Sequence, residues 1–156
     1  MSTLTRYRWP GLLVFALVVA LVAVTGGLAA SNAGAVYTQL DLPSWAPPQW
    51  LFGPVWTVLY AMIAISGWLV WEACGLDRSF VPYVVQLVLN ALWTPLFFGA
   101  GLYGAAFVDI ALLWVAIVVN IVVFLRRRRV AGWLLVPYLL WVTFAAALNL
   151  SIWTAN

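Results

Sequence analysis

The chain has 156 residues, of which 67% are hydrophobic and 7% are charged, with seven basic residues, four acidic residues and a net charge of +3. It contains no histidine and one cysteine, which excludes histidine-based zinc sites, Ser-His-Asp triads, histidine proton relays and intramolecular disulfides. Several uncharged apolar stretches of about 18 residues or more indicate an all-α integral membrane protein, and no metal site is predicted.

Five apolar segments fit transmembrane helices, because each is close to the ~20 residues that cross ~30 Å of hydrocarbon. The first apolar stretch is longer than the ~7–15 residues of a signal-peptide core, so we interpret it as a retained span. We therefore predict one membrane domain over residues 1–156, a five-helix bundle with spans at about residues 10–30, 54–71, 80–99, 103–125 and 130–153.

The connection between the first two predicted spans, residues 32–53, is the longest in the chain and is rich in proline and tryptophan. Proline fixes φ and removes a backbone donor, so we expect irregular backbone until Pro54, which suits a first helical turn. Trp45 and Trp50 give the connection a stiff, aromatic character that argues against disorder. We call residues 32–53 the lid and expect it to cover a site.

Polar side chains share one face of the third predicted span with aromatic ones. Their spacing of i, i+4, i+7 and i+11 places them on one side of a helix. In lipid, such side chains are costly unless they face the interior of the bundle. The residues on this face are Gln86, Asn90, Trp93 and Phe97.

The fourth and fifth predicted spans carry polar residues as well. Asp109 and Asn120 are eleven residues apart and share a stripe, and Asn149 follows Trp141 by eight residues. These side chains either join helices by hydrogen bonds or line a binding site, and the sequence leaves both open. Asp109 is the only acidic residue well inside a span, and its protonation state is left open too.

All seven basic residues fall in segments on one side of the predicted bundle, namely the N-terminal segment and the second and fourth loops. The positive-inside rule then predicts a cytoplasmic N-terminus, with the lid and the C-terminus on the opposite side. We interpret the arginine run at residues 126–129 as a topology anchor, not as a nucleic-acid site. Lysine-free composition is typical of a GC-rich prokaryote, so we expect the plasma membrane of a prokaryote.

Three motifs carry a resemblance to a known family: PSWAPPQWLFGPVWTVLY at residues 43–60, NALWTPLFFG at 90–99 and VPYLLWVTFAAALN at 136–149. In order and spacing they resemble the TspO/translocator protein family, formerly called peripheral-type benzodiazepine receptors, in its prokaryotic form. The resemblance implies a five-helix bundle, usually a homodimer, with a ligand cavity beneath the first loop. The small or flat residues Ala91, Pro95 and Gly99 lie four apart on the third span, which suits close packing against a second copy.

The resemblance also implies which residues bind ligand. Trp56 and Trp141 match tryptophans implicated in light-dependent porphyrin degradation by some bacterial members. One departure is Val36-Tyr37, where the family often has Trp-Tyr. The matching pocket positions are Gly26, Ala29, Trp45, Trp50, Val55, Trp56, Asn90, Trp93, Trp141, Ala145 and Leu148, to which the shared helix faces add Phe97 and Asn149.

Function follows from the resemblance as an expectation. We expect a receptor for flat lipophilic ligands, chiefly tetrapyrroles such as protoporphyrin IX or haem, with a role in porphyrin handling or stress response and no obligate cofactor. Photo-oxidative porphyrin degradation through Trp56 and Trp141, transport of a lipophile, and action through partner proteins remain open alternatives. Transport is the less favoured of these because the spans show no inverted repeat.

Overall fold

The computed structural model of the protein describes residues 8–156, so Arg6 of the predicted topology signal lies outside the described residues. No β-strand occurs between residues 8 and 156. The helices are α1 (Arg8–Ala29), α2 (Ala33–Gln39), α3 (Phe52–Cys74), α4 (Val81–Thr94), α5 (Tyr103–Arg127), α6 (Arg129–Leu134) and α7 (Val136–Ala155). Short 3-10 turns at Gln49–Leu51 and Arg78–Phe80 and a π-helical turn at Pro95–Gly99 extend these helices.

Within residues 8–156, five helical segments are long and apolar enough to cross a membrane, which confirms the predicted five-helix bundle. The fifth is divided at Leu135, because Pro137 lacks the N–H that would continue the helix from α6 into α7. The five segments are Trp9–Ala29, Gln49–Cys74, Arg78–Gly99, Tyr103–Arg127 and Arg129–Ala155.

The lid is more regular than the sequence predicts. Residues 33–39 form α2, and α3 begins at Phe52, so apart from the turn at Asn32 the irregular backbone is residues 40–48, which hold three of the prolines. Pro54 lies in the first turn of α3, where a missing backbone donor costs nothing because that donor has no helical partner. The prediction of irregular backbone over the whole of residues 32–53 is therefore wrong.

The end of the bundle that carries Arg78 and the arginine run, here called the arginine end, is tied by ion pairs. Arg127 lies 3.2 Å from Asp77, and Arg128 lies 3.6 Å from Glu72. Hydrogen bonds from the Ser79 hydroxyl and backbone N–H hold the pKa of Asp77 below its usual range. Arg127 thus joins the end of α5 to the connection after α3, and Arg128, between α5 and α6, is joined to the last turn of α3.

The core of the bundle lies among α3, α4, α5 and α7. Its centre is filled by large side chains that are fully buried, among them Ile63, Ile110, Ile117, Phe124 and Tyr138. In contrast, α1 packs on one side of this core, and most of its surface is exposed: only 6% of its apolar window is buried, against 33–39% for the other four spans. The helix α1 therefore forms a peripheral wall of the bundle.

Candidate functional site

A cavity of about 380 Å³ lies beneath the lid, between α1, α3 and α4. It occupies the end of the bundle opposite the arginine end, here called the lid end. Its volume falls within the roughly 300–1,000 Å³ that is typical of small-molecule sites. The lining residues are Ala23, Gly26, Gly27, Ala30, Ala33, Tyr37, Gln49, Phe52, Gly53, Trp56, Thr57, Tyr60, Trp93, Thr94 and Phe98.

The three helical walls of the cavity differ in kind. The α3 wall presents Trp56 and Tyr60, whose rings stack with centroids 5.4 Å apart, because a spacing of four residues places them on one helix face. The α4 wall adds Trp93, which stacks on Phe97 at 5.0 Å. The α1 wall carries only alanine and glycine. Flat rings facing a smooth wall form a slot that suits a flat, apolar molecule.

The roof of the cavity is Tyr37 of α2. Its hydroxyl donates a hydrogen bond of 2.7 Å to the Pro47 carbonyl, and its ring meets Phe52 edge-on at 5.7 Å. Burial raises the pKa of Tyr37, so the phenol stays neutral and keeps its donor at neutral pH. The two halves of the lid are thus joined to each other above the cavity.

The lid is also fastened to α7. The Asp41 backbone N–H donates to Asn156 Oδ1 at 3.2 Å, and Asn156 Nδ2 donates back to the Asp41 carbonyl at 3.3 Å. Trp45 meets Phe144 edge-on, with ring centroids 5.6 Å apart. The lid therefore rests closed on the bundle.

A chain of hydrogen bonds runs from the cavity wall into the core. The Tyr60 hydroxyl donates to Asn90 Oδ1 at 3.0 Å, Asn90 Nδ2 donates to the Tyr138 oxygen at 2.7 Å, and the Tyr138 hydroxyl donates to Gln86 Oε1 at 2.9 Å. Because these residues lie on α3, α4 and α7, the chain locks three helices at the depth of the cavity.

The cavity carries no charge, since none of its lining residues is acidic or basic. Its polar groups are the Gln49 amide, the hydroxyls of Thr57 and Thr94, and the two tyrosine hydroxyls. The Thr57 hydroxyl already donates to the Gly53 carbonyl at 2.8 Å. An apolar ligand body is therefore favoured, whereas a buried ionic group would remain unpaired.

Several predicted ligand-binding residues meet at this site. Gly26, Trp56 and Trp93 line the cavity, although they come from three different helices. Asn90 lines a crevice of about 10 Å³ directly behind it, which shares Trp56 and Trp93. The third-span face predicted from spacing does point inward, with Gln86 fully buried.

The predicted residues of the fifth span lie behind the aromatic wall. Trp141 meets Trp56 edge-on at 6.5 Å and Phe52 at 5.8 Å, so these two rings separate it from the cavity. Ala145 and Leu148 are buried in the core. Their contact with a ligand stays a prediction.

Phe97 and Asn149 are likewise buried behind the wall. Asn149 Oδ1 accepts a hydrogen bond of 3.0 Å from the Trp93 indole, and Asn149 Nδ2 donates to the Tyr103 carbonyl at 2.9 Å. These two residues set the position of Trp93, by stacking in one case and by a hydrogen bond in the other.

The remaining predicted residues lie at the edges of the site. Trp45 and Trp50 are 48% and 68% exposed on the lid, and neither lines the cavity. Ala29 and Val55 are half-buried beside it. Their role in binding also stays a prediction.

Several lining residues are not among the predicted ligand-binding positions. Tyr60 could have been found from its spacing of four after Trp56, and Gly27 from its place beside Gly26. Phe98 could not have been found from helical spacing, because a π-helical turn changes which side chains share a helix face. In this turn the Ala100 N–H donates to the Pro95 carbonyl, five residues back.

Comparison with known proteins decides the family. A family model described as the TspO/MBR family matches residues 14–154. The chain belongs to the TspO/MBR family. This confirms the resemblance drawn from the three motifs.

Relatives of this TspO/MBR chain occur in bacteria and animals. The tryptophan-rich protein TspO of Chlorobaculum tepidum is 44% identical over 124 residues, which cover 77% of this chain and 78% of that protein. The translocator protein of Homo sapiens is 40% identical over 125 residues, or 77% and 74% of the two chains. The tryptophan-rich sensory protein of Cereibacter sphaeroides is 32% identical over 148 residues, or 95% and 92%. Membership supports a binding or transport role in a membrane.

Replacing Asn90 with alanine tests the hydrogen-bonded chain. The change leaves the Tyr60 and Tyr138 hydroxyls each without one partner in the core, so we expect the free energy of unfolding to fall by about 1–3 kcal/mol. Thermal unfolding in detergent, followed by tryptophan fluorescence, measures the loss. The control is Asn32→Ala, at an exposed asparagine whose side chain makes no capping hydrogen bond, and an equal loss there would contradict the assignment.

Proposed function

We propose that the protein is a membrane receptor for flat lipophilic ligands, chiefly tetrapyrroles such as protoporphyrin IX or haem, with a role in porphyrin handling or stress response. The observation that carries the proposal is the slot beneath the lid, with Trp56, Tyr60 and Trp93 on two walls and the small residues of α1 on a third. Indole and phenol rings stack favourably on another flat π-system.

The lack of charge in the slot decides how a tetrapyrrole would lie in it. Its macrocycle is apolar and stacks on the aromatic walls, whereas its carboxylates find no cationic partner among the lining residues. We therefore expect the carboxylates to remain at the mouth, near Gln49 and water. The chain has no histidine, so recognition rests on the faces of the ring and involves no imidazole ligand to iron.

A photo-oxidative activity is the second candidate, and one contact favours it. Trp56 lines the slot and meets Trp141 edge-on at 6.5 Å between ring centroids. A porphyrin excited by light would take an electron from Trp56, which Trp141 would re-reduce, and the porphyrin radical anion would pass its electron to dioxygen to give superoxide. The Trp141 radical would then take an electron from the porphyrin through Trp56, and the resulting porphyrin radical cation would combine with superoxide, so that both oxygen atoms enter the macrocycle and both tryptophans are restored. In this scheme Trp141 acts without touching the ligand.

We propose the membrane arrangement on the distribution of charge. The arginine end would face the cytoplasm and the lid end the opposite side of a prokaryotic plasma membrane, as the positive-inside rule predicts. A homodimer through Ala91, Pro95 and Gly99 of the third span belongs to the same proposal, since Gly99 is exposed and Ala91 is half-buried.

The binding proposal predicts a specific loss of affinity. Truncating Trp56 to alanine removes one stacking wall, so we expect protoporphyrin IX to bind about 10-fold more weakly, equivalent to about 1.4 kcal/mol. Titration of protoporphyrin IX into purified protein, with tryptophan quenching as the signal, gives the Kd. The control is Trp133→Ala, at an indole that is 64% exposed far from the slot. Equal affinities of the wild type and Trp56→Ala would refute the site.

The photo-oxidative candidate predicts a light-dependent change in the bound porphyrin. Under illumination in air, we expect the Soret band to decay in the wild type and to persist in the Trp141→Phe variant, with binding retained in both. Absorption spectra recorded against a dark control measure this. Decay at the same rate in both proteins would eliminate Trp141 as an electron donor.

The proposed orientation is tested with the only cysteine of the chain. Cys74 is exposed in the last turn of α3, at the arginine end. We expect a membrane-impermeant maleimide to label Cys74 only after cells are permeabilised. In a Cys74→Ser background, Ser44→Cys on the lid should be labelled in intact cells. The reverse pattern would invert the topology.

A further inference from the structure

The contact between α1 and α3 is tight at the arginine end. A Cβ on Gly11 would lie 2.2 Å from the Trp71 ring, and a Cβ on Gly67 would lie 2.8 Å from Phe15, so glycine is needed for this approach. Val19, one turn further along α1, is 2% exposed. The first half of α1 is therefore held against the core.

Towards the lid end, the same two helices separate. A Cβ on Gly27 or Gly53 would have no heavy atom within 4 Å, and a Cβ on Gly26 would meet only ordinary contacts, the nearest at 3.6 Å from Thr94 Oγ1. The glycines of α1 thus change from close contact to open space along one helix. The gap between α1 and α3 is a wedge, and the cavity occupies its wide end.

The mouth of the cavity is marked by the lining residues that are exposed, namely Gly27 of α1, Gln49 of the lid, and Gly53 and Thr57 of α3. Gly27 lies two residues before the end of α1, and Thr57 lies five residues after the start of α3. At 1.5 Å per residue, these positions are roughly 3 and 8 Å inside the helix ends. Gly27, Gly53 and Thr57 all lie inside segments that are long and apolar enough to span a membrane, so the mouth lies on a side of the bundle that would face lipid.

Entry of a ligand through the lid is less favourable than entry between α1 and α3. Entry through the lid would break the Tyr37–Pro47 hydrogen bond, both hydrogen bonds between Asp41 and Asn156, and the Trp45 contact with Phe144. Widening the wedge does not break these contacts directly, because none of them involves a residue of α1. On the α1 side of the mouth, a Cβ on Gly27 would meet open space.

We propose that the cavity opens sideways into the bilayer, and that flat apolar molecules dissolved in the membrane enter between α1 and α3. The lid half of α1 moves away from α3, while its arginine half stays held at Gly11 and Phe15. The inference rests on the proposed function in that the cavity is the binding site, and it deepens that function by naming the membrane as the source of the ligand.

The test uses a flat probe that reacts inside the cavity. In a Cys74→Ser background, Thr94→Cys places a thiol on the cavity wall, and pyrene maleimide dissolved in the lipid of proteoliposomes can reach it only by entering. We expect Gly27→Phe to slow the labelling rate at least 10-fold, because the ring fills the mouth. Leu28→Phe adds the same ring to the neighbouring, 73% exposed position and should leave the rate unchanged.

Two further variants complete the design. Thr57→Phe narrows the mouth from the α3 side and should also slow labelling. If Gly27→Phe fails to fold, this variant alone tests whether the probe enters through the mouth. Trp45→Ala combined with Asn156→Ala loosens the lid and should leave the rate unchanged.

The outcomes separate the two routes and the two proposals. Absence of labelling in Thr94→Cys, unchanged rates in both mouth variants, or faster labelling through a loosened lid overturns lateral entry. The reaction does not depend on tetrapyrrole affinity. If labelling shows the expected rates but protoporphyrin IX does not bind, lateral entry is supported and the proposed ligand is refuted.

Discussion

The hydrogen-bonded chain from Tyr60 through Asn90 and Tyr138 to Gln86 is the contact on which the site depends. In a bilayer there is no water to hold helices together by the hydrophobic effect, so a bundle relies on close packing and on internal hydrogen bonds. This chain joins α3, α4 and α7 at the depth of the cavity. It therefore fixes the two aromatic walls while leaving α1 outside the network.

Because α3, α4 and α7 are joined by this chain and α1 is not, the site has one rigid side and one side that is free to adjust. Trp93 is held by stacking on Phe97 and by its hydrogen bond to Asn149, and Trp56 is held by Tyr60 and by the edge of Trp141. Opposite them, α1 contributes only alanine and glycine. Pre-organised aromatic walls reduce the entropy lost on binding, and a smooth movable wall admits a flat ligand without rearranging the others.

Much of the fold could be predicted from sequence because hydropathy determines the spans directly. The inward face with Gln86 and Asn90 could be predicted too, since helical periodicity and the cost of polar groups in lipid both require it. The lateral order of the helices could not be predicted in this way. Nothing in one sequence shows that α7 lies behind α3, so the edge-on contact of Trp141 with Trp56 could not be predicted, and ligand contact by Trp141 stays a prediction.

Local backbone chemistry accounts for the other differences. Pro43, Pro47 and Pro48 suggested a wholly irregular lid, but residues 33–39 contain no proline and form α2, which brings Tyr37 over the cavity. Pro95 begins a π-helical turn that changes the register of α4 and turns Phe98 toward the slot. Such turns depend on packing around a proline, which periodicity does not report.

Photo-crosslinking with a diazirine-tagged porphyrin, followed by peptide mass spectrometry, tests the central claim most directly. If the slot beneath the lid is the binding site, crosslinks will map to residues 23–29 of α1 and to residues 56–60 of α3, and unlabelled protoporphyrin IX will compete them away. Crosslinks confined to outward-facing positions such as Leu140 and Val115, unaffected by competitor, would contradict the account.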